Sequence, residues 1–179
     1  MKTPILPVLL LLVLSSFEVF SQEENEKYER DSRHRIGGMI GHTYIPLGYE
    51  NGKKEGFLVV PTWGLAYDYK LADRWSLGIH MEVENATYVI EQIDGVTLER
   101  ERPFIIVLAA SYKAWKSLIV EAGFGRELES HAEFWVFRVG LGYEIEIGKH
   151  WDLAPVLFFD LKEDTYASWT FGLQAARWF

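Results

Sequence analysis

Residues Trp75-Ser76-Leu77-Gly78-Ile79-His80-Met81-Glu82-Val83-Glu84 place a large apolar side chain at every odd position and a small or charged one at every even position. Side chains of an extended chain alternate sides, so this segment reads as a strand with one apolar and one polar face. The pattern recurs over 35–46, 57–71, 75–88, 103–114, 117–128, 133–147, 151–162 and 167–179. The first of these segments is the least regular, because Gly37, Gly38 and Gly41 blur its two faces. Such repetition predicts an all-β fold, an eight-stranded antiparallel up-and-down sheet closed into a barrel.

The connections alternate in length. Residues 47–56, 89–102, 129–132 and 163–166 are the longer links, whereas Ala72-Asp73-Arg74, Ala114-Trp115-Lys116 and Gly148-Lys149-His150 are short. In an up-and-down barrel every short link then falls at one end. Barrels of outer membranes have short periplasmic turns and longer outside loops. A weak internal echo marks the short turns: Tyr69 to Leu77 resembles Glu146 to Leu153, and Tyr112 to Leu118 is a looser copy. Each copy carries a tryptophan at or beside its turn, and Trp and Tyr favour a membrane–water interface. Trp75, Trp115, Trp151, Tyr69, Tyr112, Tyr143 and Trp169 are therefore the predicted interfacial aromatics.

Lys2, the apolar run Ile5 to Leu14 and the following Ser15 to Ser21 read as a secretory signal peptide cleaved near Ser21. That run is too short to cross about 30 Å of hydrocarbon as a helix. The predicted organisation is a signal peptide over 1–21, a flexible charged arm over 22–34 and a barrel over 35–179. No later segment approaches the ~20 consecutive apolar residues of a spanning helix, which leaves strands as the only route across a membrane. The chain has no cysteine, so disulfides and thiol chemistry are excluded. Its formal net charge of −8 argues against a nucleic-acid partner.

Side-chain volume decides which face is inside. The apolar face is bulky: Trp63, Leu65, Tyr67, Ile79, Phe104, Phe124, Phe137, Leu157, Phe171 and Leu173 are examples. A barrel of eight strands is only just wide enough for side chains to fill. The other face combines glycine and alanine with Asp68, Lys70, His80, Glu82, Glu84, Lys113, Glu121, Arg138, Glu144, Glu146, Asp160 and Lys162. Small residues beside long charged ones suit a narrow lumen, and the apolar face then meets lipid. Buried charges must be paired, so these residues, with Arg35 as a further candidate, are expected to crosslink and plug the lumen.

The signal peptide, the turn motif Lys70-Leu71-Ala72-Asp73-Arg74-Trp75 and the end Trp169 to Phe179 together resemble the small outer-membrane β-barrel superfamily, the eight-stranded OmpA/OmpX-like group. The ending Phe20-Ser21-Gln22 is similar to those of Bacteroidetes envelope proteins. The resemblance implies a bacterial outer-membrane location, contact with outer-membrane lipid, and recognition of the C-terminal strand by the barrel-insertion machinery. Phe171, Leu173 and Phe179 match the assembly signal that this resemblance implies, whereas Arg177 falls on its lipid face and departs from it.

Small barrels of this group include lipid-modifying enzymes, which need Ser, His and a carboxylate in mutual reach. His80 has Glu82 and Glu84 on its own face but no matching serine on a neighbouring strand, and His131 beside Ser130 points the opposite way. No pair of histidines shows metal-ligand spacing. Neither a catalytic residue, a cofactor nor a metal is predicted. The leading expectation is a structural or interaction barrel with a plugged lumen, whose loops 47–56 and 89–102 offer a surface to a protein partner. The alternatives are a narrow porin-like channel and a lipid-modifying enzyme.

Overall fold

The computed structural model describes residues 32–46, 49–50, 53–54, 56–91, 97–129, 133–163 and 166–179. The predicted signal peptide, nearly all of the predicted arm, and Ser130 and His131 lie outside these residues. The elements in chain order are β1 His34–Pro46, β2 Tyr49–Glu50, β3 Lys53–Lys54, β4 Phe57–Lys70, β5 Trp75–Glu84, β6 Thr87–Glu91, β7 Thr97–Glu101, β8 Phe104–Trp115, β9 Leu118–Leu128, β10 Phe134–Tyr143, β11 Ile145–Ile147, β12 Trp151–Lys162 and β13 Tyr166–Trp178.

The main sheet runs β10-β9-β8-β5-β4-β1-β13-β12-β11, and a further pairing of β10 with β12 closes it into a ring. With β10 and β11 counted as one interrupted strand, it is an eight-stranded antiparallel barrel. The N-terminal strand pairs with the C-terminal one, from Arg35 opposite Trp178 to Tyr44 opposite Trp169. Closure leaves no free edge in this sheet. The two short pairs β2–β3 and β6–β7 lie outside the ring, at the end that carries the longer loops.

Burial alternates as the sequence predicts, with the apolar face outward. Trp63 is 64% exposed and Phe171 59%, whereas Thr43, Thr62 and Glu84 on the opposite face are fully buried. The inward glycines make that lumen possible. A Cβ on Gly41 would lie 2.6 Å from the Phe171 carbonyl oxygen, and one on Gly123 would lie 2.4 Å from a Val107 methyl. Gly37 and Gly41, two of the three glycines that blur the first strand in sequence, are thus part of its packing.

Two strand boundaries differ from the sequence expectation. The segment 75–88 is not continuous: β5 ends at Glu84, after which the Asn85 N–H makes one further in-register bond, to the Pro61 carbonyl at 2.8 Å. Arg102, with φ of 45°, closes the hairpin that β6 and β7 then form, its N–H reaching the Ala86 carbonyl at 3.0 Å. The segment 133–147 is interrupted at Glu144, whose backbone N–H keeps the register with β9 by bonding the Ser117 carbonyl at 2.8 Å. In each case the adjoining strand carries a proline at this point, Pro61 opposite Asn85 and Pro155 opposite Tyr143, which lacks the N–H that the ladder would have used.

Candidate functional site

The lumen is built from even-numbered positions of β4, β5 and β12, odd-numbered positions of β1, β8 and β9, and the matching face of β10 and β13. Among the described residues its charged groups gather mainly in three layers between the short-turn end and the loop end.

In the layer nearest the turn end, Arg35 donates from Nε and Nη2 to the two carboxylate oxygens of Asp152 at 3.1 and 2.8 Å. Its Nη1 donates to Asp68 at 2.8 Å and its Nη2 also to the Gln174 amide oxygen at 3.0 Å. The Trp178 indole donates to Asp152 at 2.7 Å. The other oxygen of Asp68 lies 2.9 Å from His80 Nε2, and His80 Nδ1 lies 3.3 Å from Glu121. Both ring nitrogens of His80 thus face carboxylates, the arrangement that an imidazolium donating twice would satisfy.

The middle layer centres on Arg138. It donates to both oxygens of Asp160 at 2.7 Å and to both oxygens of Glu82, the Nη2–Oε2 contact being 3.0 Å. Its guanidinium also lies 4.5 Å from the centre of the Phe158 ring. All three charged residues are at most 3% exposed. A planar fork with two bidentate partners fixes the side chain across the lumen. Between this layer and His80 lies a cavity lined by Met39, Gly64, Ala66, His80, Glu82, Phe158 and Gln174, with room for about one water.

At the loop end, Lys162 Nζ lies 3.0 Å from Glu84 and 2.8 Å from Glu127. Tyr166 accepts from Lys162 at 2.9 Å and donates to Glu127 at 3.0 Å. Above them the β6–β7 hairpin folds over the mouth. Tyr88 donates to Glu84, and Arg100 pairs with Glu127 and, at 3.1 Å, with Glu129. Tyr88 and Ile90 pack on Ile45 of β1 and Val60 of β4. Burial, together with the Glu84 carboxylate, pushes the Tyr88 phenol up, so it remains a donor.

Of the residues named from sequence, Asp68, His80, Glu82, Glu84, Glu121, Arg138, Asp160 and Lys162 meet in these layers. Lys70, Lys113 and Glu146 do not reach the closed interior and stand at the turn-end rim. Lys70 pairs with Asp73 at 3.4 Å, and Lys113 lies 3.6 Å from the buried Glu144 and 3.8 Å from Glu146. The strands end within a residue or two of these positions, so long side chains there extend toward water.

Sequence reasoning missed Asp152, Glu127, Arg100, Tyr88 and Tyr166, and gave Arg35 no fixed partner. Asp152 and Glu127 were within reach, since each continues the inward parity of Asp160 and Glu121 on its own strand. The hairpin residues had no such signal.

Trp75, Trp115 and Trp151 stand exposed around the turn end. Trp75 packs on Tyr112 with ring centres 4.8 Å apart, Tyr69 packs on His34 at 5.2 Å, and Tyr143 is exposed. Trp169 is at the opposite end, beside Phe159 at 4.6 Å and opposite Tyr44. Phe171 and Leu173 point outward from β13, and Phe179 follows it. Arg177, the departure on the outer face, lies over the rings of Trp151 and Phe179 at 5.7 and 5.1 Å.

Catalytic geometry is weak. The Ser111 hydroxyl donates to Glu121 at 3.3 Å, and His80 has both nitrogens turned to carboxylates. No ring nitrogen is directed at a hydroxyl nucleophile in this cluster. Among the described residues no three histidine or carboxylate side chains converge to hold a metal ion.

No protein-family model matches the chain, and no curated protein matches its sequence. Solved structures do match its fold. The N-terminal β-barrel domain of Pseudomonas aeruginosa OprF aligns over 83% of this chain and 100% of its own, with 12% identity and a TM-score of 0.56. Neisserial surface protein A aligns over 82% of this chain and 97% of its own, with 9% identity and a TM-score of 0.58. The attachment invasion locus protein Ail of Yersinia pestis aligns over 83% and 99%, with 11% identity and a TM-score of 0.52. A further Ail structure, at 13% identity and a TM-score of 0.53, holds the heparin analogue sucrose octasulfate. The fold of this chain is that of small eight-stranded outer-membrane β-barrels.

Proposed function

We propose that the protein is an integral barrel of a bacterial outer membrane, with a plugged lumen and a structural or interaction role carried by its outer loops. The N-terminus and the short turns face the periplasm in this reading, and the β6–β7 hairpin faces outward. The observation that carries the plugged lumen is the Arg138 layer. Its guanidinium, held by Glu82 and Asp160 and backed by Phe158, occupies the middle of the barrel. A solute would have to separate buried charges that lack any other partner, which costs several kcal/mol.

Outer-membrane lipid is the first partner in this reading, and the barrel-insertion machinery, acting on Phe171, Leu173 and Phe179, is the second. A protein partner would meet the loops 47–56 and 89–102. The polyanion seen with Ail does not transfer readily, because Glu99, Glu101, Glu133 and Glu163 are exposed at the same end here. Repulsion from those carboxylates would oppose a sulfated sugar.

Planar-bilayer conductance of the refolded protein tests the plug. Silence is expected from the native chain, and channels that open when Arg138 becomes Ala would tie closure to that layer. Steady conductance by the native protein would replace this reading with a pore. Cell fractionation with protease shaving tests the location, and a freely soluble periplasmic protein would overturn it. Altered lipid A acylation on expression would favour an enzyme.

A further inference from the structure

The chain is acidic overall, yet its exposed charges are not evenly divided. Among the described residues of the loop end, Glu133 pairs with Arg126 at 2.7 Å, and the exposed Glu99, Glu101 and Glu163 outnumber the exposed Arg102. Around the turn end Arg74, Lys116, Lys149 and Arg177 are exposed. The carboxylates of that rim already face cations: Asp73 lies at 3.4 Å from Lys70, and Glu146 at 3.8 Å from Lys113. Arg74, Lys116 and Arg177 make no ion pair among the described residues. The turn end therefore carries a surplus of positive charge against a net charge of −8 for the whole chain.

These cations are not scattered. Each short turn sets one beside an outward tryptophan: Arg74 with Trp75, Lys116 with Trp115, and Lys149 with Trp151. Lys116, held in a turn with φ of 45°, places Nζ 5.6 Å from the Trp115 ring centre. Arg177 reaches the Trp151 ring from the neighbouring strand at 5.7 Å. A ring that sits where hydrocarbon meets headgroups fixes the depth of the cation beside it. At that depth the chemistry in reach is the phosphate of a lipid headgroup, and a cation surplus selects lipids with net negative charge.

We propose that this rim is a binding surface for anionic phospholipid headgroups, three tryptophan–cation pairs set around the turn end of the barrel. It rests on the reading that the barrel spans a membrane. Its occupant is an anionic glycerophospholipid in the leaflet that the short turns enter. Among the described residues of the loop end the exposed glutamates outnumber the arginines, which opposes that lipid. The selectivity should fall as salt rises, because exposed charges are screened within about 10 Å at 0.1 M ionic strength.

The test is lipid selectivity of the full-length protein refolded in phosphatidylcholine vesicles, read by electron spin resonance of spin-labelled phosphatidylglycerol and phosphatidylcholine. Lipid against the barrel shows as a motionally restricted component. The native protein is expected to hold the anionic probe more tightly, by up to about fivefold at a site beside one cation, and less so in high salt. The combined variant Arg74→Gln, Lys116→Gln, Arg177→Gln should bring the two probes to equality while keeping the restricted component. The variant Arg102→Gln, Arg126→Gln, at the loop end, should retain the selectivity. Equal restriction of both probes by the native protein would overturn the proposal. Absence of any restricted component, with either probe, would instead overturn the membrane reading beneath it. Loss of selectivity in the loop-end variant would move the surface to the other leaflet and overturn this assignment.

Discussion

Arg138 on β10 reaches across the lumen to Glu82 on β5, three strands away around the ring, and holds both of its carboxylate oxygens. It holds Asp160, directly opposite on β12, in the same way. One guanidinium thereby ties β5 to β10 and β12, with which β5 shares no backbone hydrogen bonds. Such a contact stiffens the barrel against flattening and places charge where a channel would run.

Replacing Arg138 by alanine should destabilise the folded barrel by about 3–5 kcal/mol, the cost of leaving buried carboxylates without their partner. The midpoint of urea unfolding in detergent or bilayers reads this. The double variant Arg138→Ala, Glu82→Gln should recover part of the loss, since one of the stranded charges is then gone.

The strand glycines differ sharply in what they tolerate. A Cβ on Gly125 would lie 1.9 Å from the Ile106 carbonyl oxygen and 2.7 Å from Val107 Cα, whereas one on Gly38, on the outer face, meets nothing within 4 Å. Gly125→Ala should fail to give the heat-modifiable folded band on gels, because backbone must move to admit it. Gly38→Ala should fold and be neutral or more stable by up to about 1 kcal/mol.

Depth along the outer face should decide the effect of a charge. Leu65 lies midway along β4 and is 61% exposed, while Leu71 follows the strand at the turn end and is 53% exposed. Leu65→Arg should cost about 2–4 kcal/mol and Leu71→Arg about 0–1 kcal/mol, if the surface around Leu65 is in hydrocarbon. Equal, small effects of the two in denaturant titrations would place Leu65 in water.

The β6–β7 hairpin is held over the mouth by Arg100, which Glu127 and Glu129 bind. Arg100→Ala should loosen the hairpin while the barrel remains closed. A hydrogen bond to a charged group contributes about 1.5–3 kcal/mol, so amide exchange in residues 87–101 should quicken by more than about tenfold. Exchange in β1 and β13 should stay unchanged.

The alternation from Trp75 to Glu84 and its repeats, together with residue volume, determined by themselves that the chain closes as a barrel and which face is inside. Period-two patterning acts through each strand's own covalent geometry, so it is legible without the partner strands. Parity likewise marks Asp68, Glu82, Arg138 and Asp160 as inward. What it does not carry is pairing across the lumen, because that depends on the stagger of strands around the ring. Hence only the tertiary structure joined Arg35 to Asp152 on β12, set Lys162 between Glu84 of β5 and Glu127 of β9, and left Lys70 and Glu146 at the rim. The break at Asn85 was equally invisible, since Pro61, which accepts its N–H in register and has no N–H to return, belongs to the neighbouring strand. Beyond it the chain leaves the main sheet and Tyr88 and Arg100 return over the mouth, a course that no local pattern encodes.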